Sequence, residues 1–119
     1  MTTREIIEAY FEGLNLKQGW EDQIADNMAF TGVKTKTTDK SGYVDTTRSF
    51  LRLVQTVRLE NLIVEGVQAC AIAHYDLQSP SGKVAESTIA EIFTVSGGKI
   101  SSSTIFFDTA AFWEFMANG

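Results

Sequence analysis

The 119-residue chain reads as one α+β domain, residues 1–119, with N-terminal helices packed on the concave face of a long curled antiparallel sheet. Three observations predict this. First, three apolar-rich segments, VQACAIAHYDL, KVAESTIAEIFTV and KISSSTIFF, follow one another between about Val67 and Phe107, separated only by SPSG and SGG. Runs bounded in this way by Gly, Ser and Pro read as a meander of consecutive strands. Second, the two stretches that begin near Thr3 and Ser41 carry apolar residues at helical spacing instead. Third, each meander strand is about 10 residues, roughly 33 Å long, so the sheet must twist and curl around something.

In chain order, residues 3–16 predict a helix. Thr2 and Glu5 have capping-box spacing, and Ile6, Ile7, Tyr10, Phe11 and Leu14 form one apolar face. Gly13 weakens that helix by about 1 kcal/mol against Ala and leaves room for a close neighbour. Trp20 to Asp26 reads as a short second helix with acid near its start, and Met28 to Thr31 as a short strand. Gly32 to Ser41 is polar and aperiodic, a mobile loop of the kind that borders sites. From about Ser41, with Ser41 or Asp39 as cap, a stripe of Tyr43, Val44, Thr47, Phe50, Leu51, Val54 and Val57 predicts a helix ending near Thr56. Residues 57–65 alternate as a strand whose parity shifts near Asn61, which implies a bulge there. Asp108 follows the last strand as the cap of a short terminal helix, Thr109 to Met116.

The composition bounds the function. Ten Lys and Arg against fifteen Asp and Glu leave a net charge of −5, which argues against nucleic acid and against anionic membrane surfaces. No apolar stretch approaches a membrane span, and the N-terminus has no signal-peptide pattern, so the expected address is cytoplasmic. The single cysteine, Cys70, excludes an internal disulfide and reads as a small buried hydrophobe. One histidine and one cysteine do not make a typical zinc set, and no nucleotide-binding or nucleophile-elbow motif is present, so neither metal nor cofactor is expected.

The phrases EIIEAYFEGL, WEDQIADNMAF, VEGVQACAIAHYDLQSPSGK and IAEIFTVSGGKISSSTIFFD, in that order, resemble the NTF2-like superfamily, and within it the SnoaL-like group that includes ketosteroid isomerases and polyketide cyclases. The resemblance covers nearly the whole chain. It implies a cone-shaped fold with a cavity in its mouth and a small apolar ligand. It also implies an activity of isomerase, cyclase or dehydratase type, or, as the alternative, a non-catalytic ligand-binding or dimeric module. Along the isomerase pattern, Tyr10 falls at the oxyanion-hole tyrosine and Glu91 at the protonated acid. The isomerase's general base falls near Thr31 and Gly32, neither of which can be a base; Asp26 or Asp39 would have to substitute.

The residues themselves point the same way. Glu91 shares strand parity with Ile89 and Phe93, so it is expected to face inward, partly desolvated. His74 and Asp76 share the other strand's even parity, an arrangement suited to acid–base work, with the inward face of residues 68–77 left open between the two parities. The expected catalytic set is Tyr10, Glu91, His74 and Asp26. The expected cavity walls are Trp20, Phe30, Phe50, Val54, Ile89, Phe93, Ser103, Ile105 and Phe107. Residues 67–77 are apolar on both parities, whereas a sheet with one wet face alternates cleanly; a homodimer formed through the sheet is expected.

Overall fold

The computed structural model describes residues 1–117. The first helix, α1 (Thr3–Leu16), starts as the capping box dictates. Thr2 Oγ1 accepts the Glu5 N–H at 3.1 Å and Glu5 returns a bond to the Thr2 N–H at 2.8 Å. Its buried face is Ile6, Ile7, Tyr10, Phe11, Gly13 and Leu14. At its C-terminus Lys17 takes the left-handed conformation (φ 59°) and returns its N–H to the helix carbonyls. Thr3 and Arg4 bond the carbonyls of Gly66 and Leu62, and Asn15 accepts the Val57 N–H at 2.9 Å, so both ends of α1 are tied to the sheet.

The second helical segment is shorter than its composition suggests. It is a single 3₁₀ turn, Trp20–Gln23, and strand β1 (Ile24–Thr31) begins where a helix was expected to continue. Burial explains the difference: Ile24, Met28 and Phe30 are buried while Asp26, Asn27 and Ala29 are not, and pairing with the sheet outweighs weak local helix preference. The polar loop also contains a two-residue strand, β2 (Lys36–Thr37), paired with β1. Helix α2 (Lys40–Leu51) is capped by Asp39, whose carboxylate accepts the Gly42 N–H at 2.8 Å. It stops six residues before its apolar stripe does, because Val54 and Val57 belong to β3 (Val54–Glu65).

Strands β3, β4 (Gln68–Gln78), β5 (Val84–Ser96) and β6 (Lys99–Phe106) form the predicted meander, and β1 pairs with β6 in parallel, giving the order β2-β1-β6-β5-β4-β3. The bulge near Asn61 is present, as a register shift between Leu59 and Asn61. The unclosed sheet curls around α1 and α2. Its concave face carries Ala69, Ala71, Ala73, Tyr75 and Leu77 of β4 opposite Phe93, Glu91, Ile89, Ser87 and Ala85 of β5. The three alanines leave space for the large side chains beside them. This settles the parity of β4: Cys70, Ile72, His74 and Asp76 lie on the outer face.

Asp108 caps α3 (Thr109–Ala117) by accepting the Ala111 N–H at 3.0 Å. Helix α3 folds back over the mouth of the cone, where Phe112 meets the rings of Phe50 and Phe107. The core lies between α1, the 3₁₀ turn and the concave sheet. Gly13 is required there: a Cβ at this position would stand 2.6 Å from the Trp20 backbone nitrogen. No helix among the described residues is long and apolar enough to cross a membrane.

Candidate functional site

A cavity of about 290 Å³ opens between the concave sheet, α2, the loop after β1 and α3. Its walls are mostly apolar, from Leu14, Phe30, Val33, Phe50, Leu51, Ile89, Ile105, Phe107, Phe112 and Trp113. The chain has three tyrosines, and all three, Tyr10, Tyr43 and Tyr75, line this cavity together with Glu91.

Glu91 is placed by strand register. β5 is central in the sheet, Glu91 lies opposite Ala71 on β4 and Ile105 on β6, and its side chain enters the concave side. The residue is 5% exposed. Its Oε1 accepts from the Tyr75 hydroxyl at 3.4 Å and its Oε2 from Ser103 Oγ at 3.1 Å. Burial pushes its carboxyl up to about 7, and the hydroxyls of Ser103 and Tyr75 restrain the rise by favouring the ionised form.

Tyr10 and Tyr43 share a hydrogen bond between their hydroxyls. Burial drives both far above the ordinary phenol range, and the negative charge of Glu91 adds to the shift in each. Tyr75 is raised in the same way, by burial first and then by Glu91. All three phenols are therefore protonated at neutral pH, where they can donate but not serve as bases. Trp20 holds the pair in place: its ring stands edge-on to Tyr10 and to Tyr43, each at 6.5 Å.

At the mouth, Lys34 is the one cationic residue among the lining set, and its Nζ sits 5.0 Å from the Trp113 ring centroid. Gly32 also lines the cavity, at the position where the isomerase resemblance implies a base.

The expected site residues therefore divide. Tyr10, Glu91, Phe30, Phe50, Ile89, Ile105 and Phe107 line the cavity. Ser103 stands behind it, holding Glu91. Trp20, Val54 and Phe93 are core residues outside the lining set: Trp20 lies behind the tyrosines, Val54 opens β3, and Phe93 packs edge-on against Tyr10 and Phe11 beneath α1. His74 lies on the outer face of β4, opposite in parity to Tyr75, so the sheet separates it from the cavity. Asp26 is an exposed residue of β1 and lies outside the lining set. Neither His74 nor Asp26 reaches the place where chemistry in the cavity would occur.

Sequence reasoning missed Tyr43, Tyr75 and Lys34. Tyr43 lay in the helical stripe as one apolar residue among seven. Tyr75 had a usable signal, since it is the polar-tipped member of the Ala69–Leu77 parity, but the register that places it beside Glu91 was not available from spacing.

No protein-family model matches the sequence, and no curated protein matches it. Solved structures do match in fold. An NTF2-like protein from Burkholderia thailandensis is 19% identical, with a TM-score of 0.86 over 98% of each chain. A candidate SnoaL-like polyketide cyclase from Jannaschia sp. CCS1 is 17% identical, with a TM-score of 0.82 over 93% of this chain and 88% of that one. TerC, co-crystallised with polyporic acid, is 18% identical, with a TM-score of 0.82 over 94% and 95% of the two chains. The cone is thus the NTF2-like fold, shared with SnoaL-like proteins.

Proposed function

We propose that this NTF2-like chain binds a small, largely apolar carbonyl compound in its cone and moves a proton on it, as a cofactor-independent isomerase, cyclase or dehydratase would. The observation that carries the reading is Glu91: a carboxyl at the floor of an apolar cavity, held by two hydroxyls, with its pKa near 7. Such a group has both its acid and its base form within reach near neutral pH. Its acid form can donate to a carbonyl oxygen or a leaving hydroxyl, and its base form can take a proton from an activated carbon. In the Tyr10–Tyr43 pair, held protonated, one hydroxyl donates to the other, and the remaining proton is the donor for an oxygen that gains negative charge.

With Thr31 and Gly32 at the expected base position and Asp26 on the surface, Glu91 carries both halves of the proton transfer in turn. Lys34 and Trp113 stand where a ligand would enter. The likeness to a candidate polyketide cyclase and to TerC guides the first compounds to try, since fold alone does not name a substrate.

A second reading, a non-catalytic ligand-binding module that dimerises through its sheet, is favoured by the outer face. Ile63, Cys70 and Ile92 form one cross-strand row and Ile72, Ala90 and Phe106 the next, with Ile63, Ile92 and Phe106 well exposed. Two such rows make an apolar band that a second copy would cover.

The test is Glu91→Gln against the parent protein, with binding followed by tryptophan fluorescence and turnover measured on enones, keto-steroids and polyporic acid. Retained binding with loss of turnover is the expected result. Turnover that survives Glu91→Gln would overturn the proton-transfer role, and binding without turnover by the parent protein establishes the module reading. Light scattering at micromolar concentration is expected to give a dimer; a monomer removes the dimer from both readings.

A further inference from the structure

We propose that His74, Asp76 and Glu86 form a binding site for one divalent first-row transition ion, Zn2+ foremost, on the outer face of the sheet. Register builds the site. Asp76 on β4 lies directly opposite Glu86 on β5, and His74 is two residues before Asp76 on the same face. The His74 Nε2 stands 3.3 Å from Asp76 Oδ1 and 3.2 Å from Glu86 Oε1, and the three ligand atoms all lie within 4.8 Å of one another. A tetrahedral ion with ligand bonds of about 2.0–2.1 Å sets neighbouring ligand atoms roughly 3.3 Å apart. Two sides of the triangle already have that length.

Two further features point to a cation. Like charges directly opposite on neighbouring strands are destabilising, and Asp76 and Glu86 are such a pair. Asp76 is also oriented from outside the triangle. Thr56, its partner on β3, donates its hydroxyl to Asp76 Oδ2, which turns Oδ1 toward His74. Ligating carboxylates are commonly held by an outer hydrogen bond of this kind. Arg58 lies beside His74 on β3 with its guanidinium bound to Glu60 at 3.1 Å, so it does not fill the triangle.

The ligand set, one imidazole nitrogen and two carboxylate oxygens, favours Zn2+ or Co2+ over Mg2+ and Ca2+. Glu86 is mostly exposed, which leaves the site open to solvent and a fourth position for water. The sheet lies between this site and the cavity, so the proposal stands independently of the proposed function.

His74 is the only histidine in the chain, which makes the test direct. Untagged protein is titrated with Zn2+ by calorimetry and with Co2+ by visible absorption, while the imidazole resonances are followed by NMR. The expected result is saturable uptake of one ion per chain, a shift of the His74 ring signals at the same stoichiometry, and no competition from Mg2+. His74→Ala and Glu86→Gln should each weaken binding at least tenfold, and Thr56→Val roughly tenfold, within the range for an outer-shell partner. Circular dichroism of the ion-free variants reports whether they are folded. Absence of saturable Zn2+ uptake by the parent protein, or uptake by folded His74→Ala as tight as the parent's, overturns the site; in the first case the same contacts are those of His74 with two carboxylates and no ion.

Discussion

Glu86 and Glu91 stand five residues apart on one strand, and the protein treats them as different chemical groups. The Glu86 side chain is 74% exposed on the outer face, with His74 as its partner. Glu91 is 5% exposed on the concave face, among three phenols and a serine. An offset of five positions is odd, so the pleat sends them to opposite sides of the sheet. Water solvates the first. The second loses most of its solvation, and its pKa moves toward neutrality. The same residue type is therefore a surface ligand candidate on one face and an acid–base candidate on the other, and strand parity decides which.

The largest expected effect breaks this comparison at Glu91. The unfolded chain releases the Glu91 proton near pH 4.5 and the folded protein near pH 7. The folded state thus binds the proton more tightly, so this group's stabilising contribution is full below pH 4.5 and is lost as pH rises through 7. The difference is roughly 3 kcal/mol at about 1.36 kcal/mol per pKa unit. Glu91→Gln removes it. Denaturant unfolding of both proteins between pH 4.5 and 8 should show the variant gaining on the parent by about that amount, and parallel curves would mean that Glu91 is not desolvated.

Next is Gly13→Ala. Helix propensity alone predicts a gain of about 1 kcal/mol. The 2.6 Å approach to the Trp20 backbone predicts a net loss of about 1–3 kcal/mol instead, because backbone cannot move aside as a flexible side chain can. A rise in melting temperature would show that α1 and the 3₁₀ turn are less tightly apposed, and that the wall behind Tyr10 and Tyr43 is soft. Removing the α3 cap is smaller: Asp108→Ala should cost about 1 kcal/mol and loosen the helix that covers the cavity mouth, with ligand affinity as the sensitive readout. The smallest effect is the outer counterpart of the first. Glu86→Gln should change stability by less than about 0.5 kcal/mol. An effect at Glu86 as large as at Glu91 would erase the distinction between the two faces.

Much of this architecture was legible locally. The capping box at Thr2 and Glu5, the α1 stripe, the bulge near Asn61, the three long strands and the Asp108 cap depend on residues close together in sequence, and each formed as its pattern implied. The segment Trp20–Asp26 did not, because its helical reading rested on a few residues: Ile24 to Asp26 join β1, with Ile24 paired to Ile100 of β6, which leaves Trp20–Gln23 a single 3₁₀ turn. The α2 stripe overran its helix for a related reason: Val54 and Val57 satisfy a helical period and a strand equally well, and pairing with β4 decided between them.

The site divides along the same line. The sequence by itself determined that Glu91 and Tyr10 sit in apolar surroundings, since strand parity and helix periodicity are local properties. It also determined, through length and turn spacing, that a long sheet must curl. Only the tertiary structure decided which side of β4 faces inward. Both parities of that strand are apolar, and the choice rests on the packing of Ala69, Ala71 and Ala73 against the large residues of β5. That one decision moved His74 from the cavity to the outer face, brought Tyr75 to Glu91, and set Asp76 opposite Glu86. Cysteine and histidine counting takes no account of carboxylates, whose placement beside His74 depends on cross-strand register. Register is a long-range property, set by how two strands pack, and spacing within either strand does not contain it.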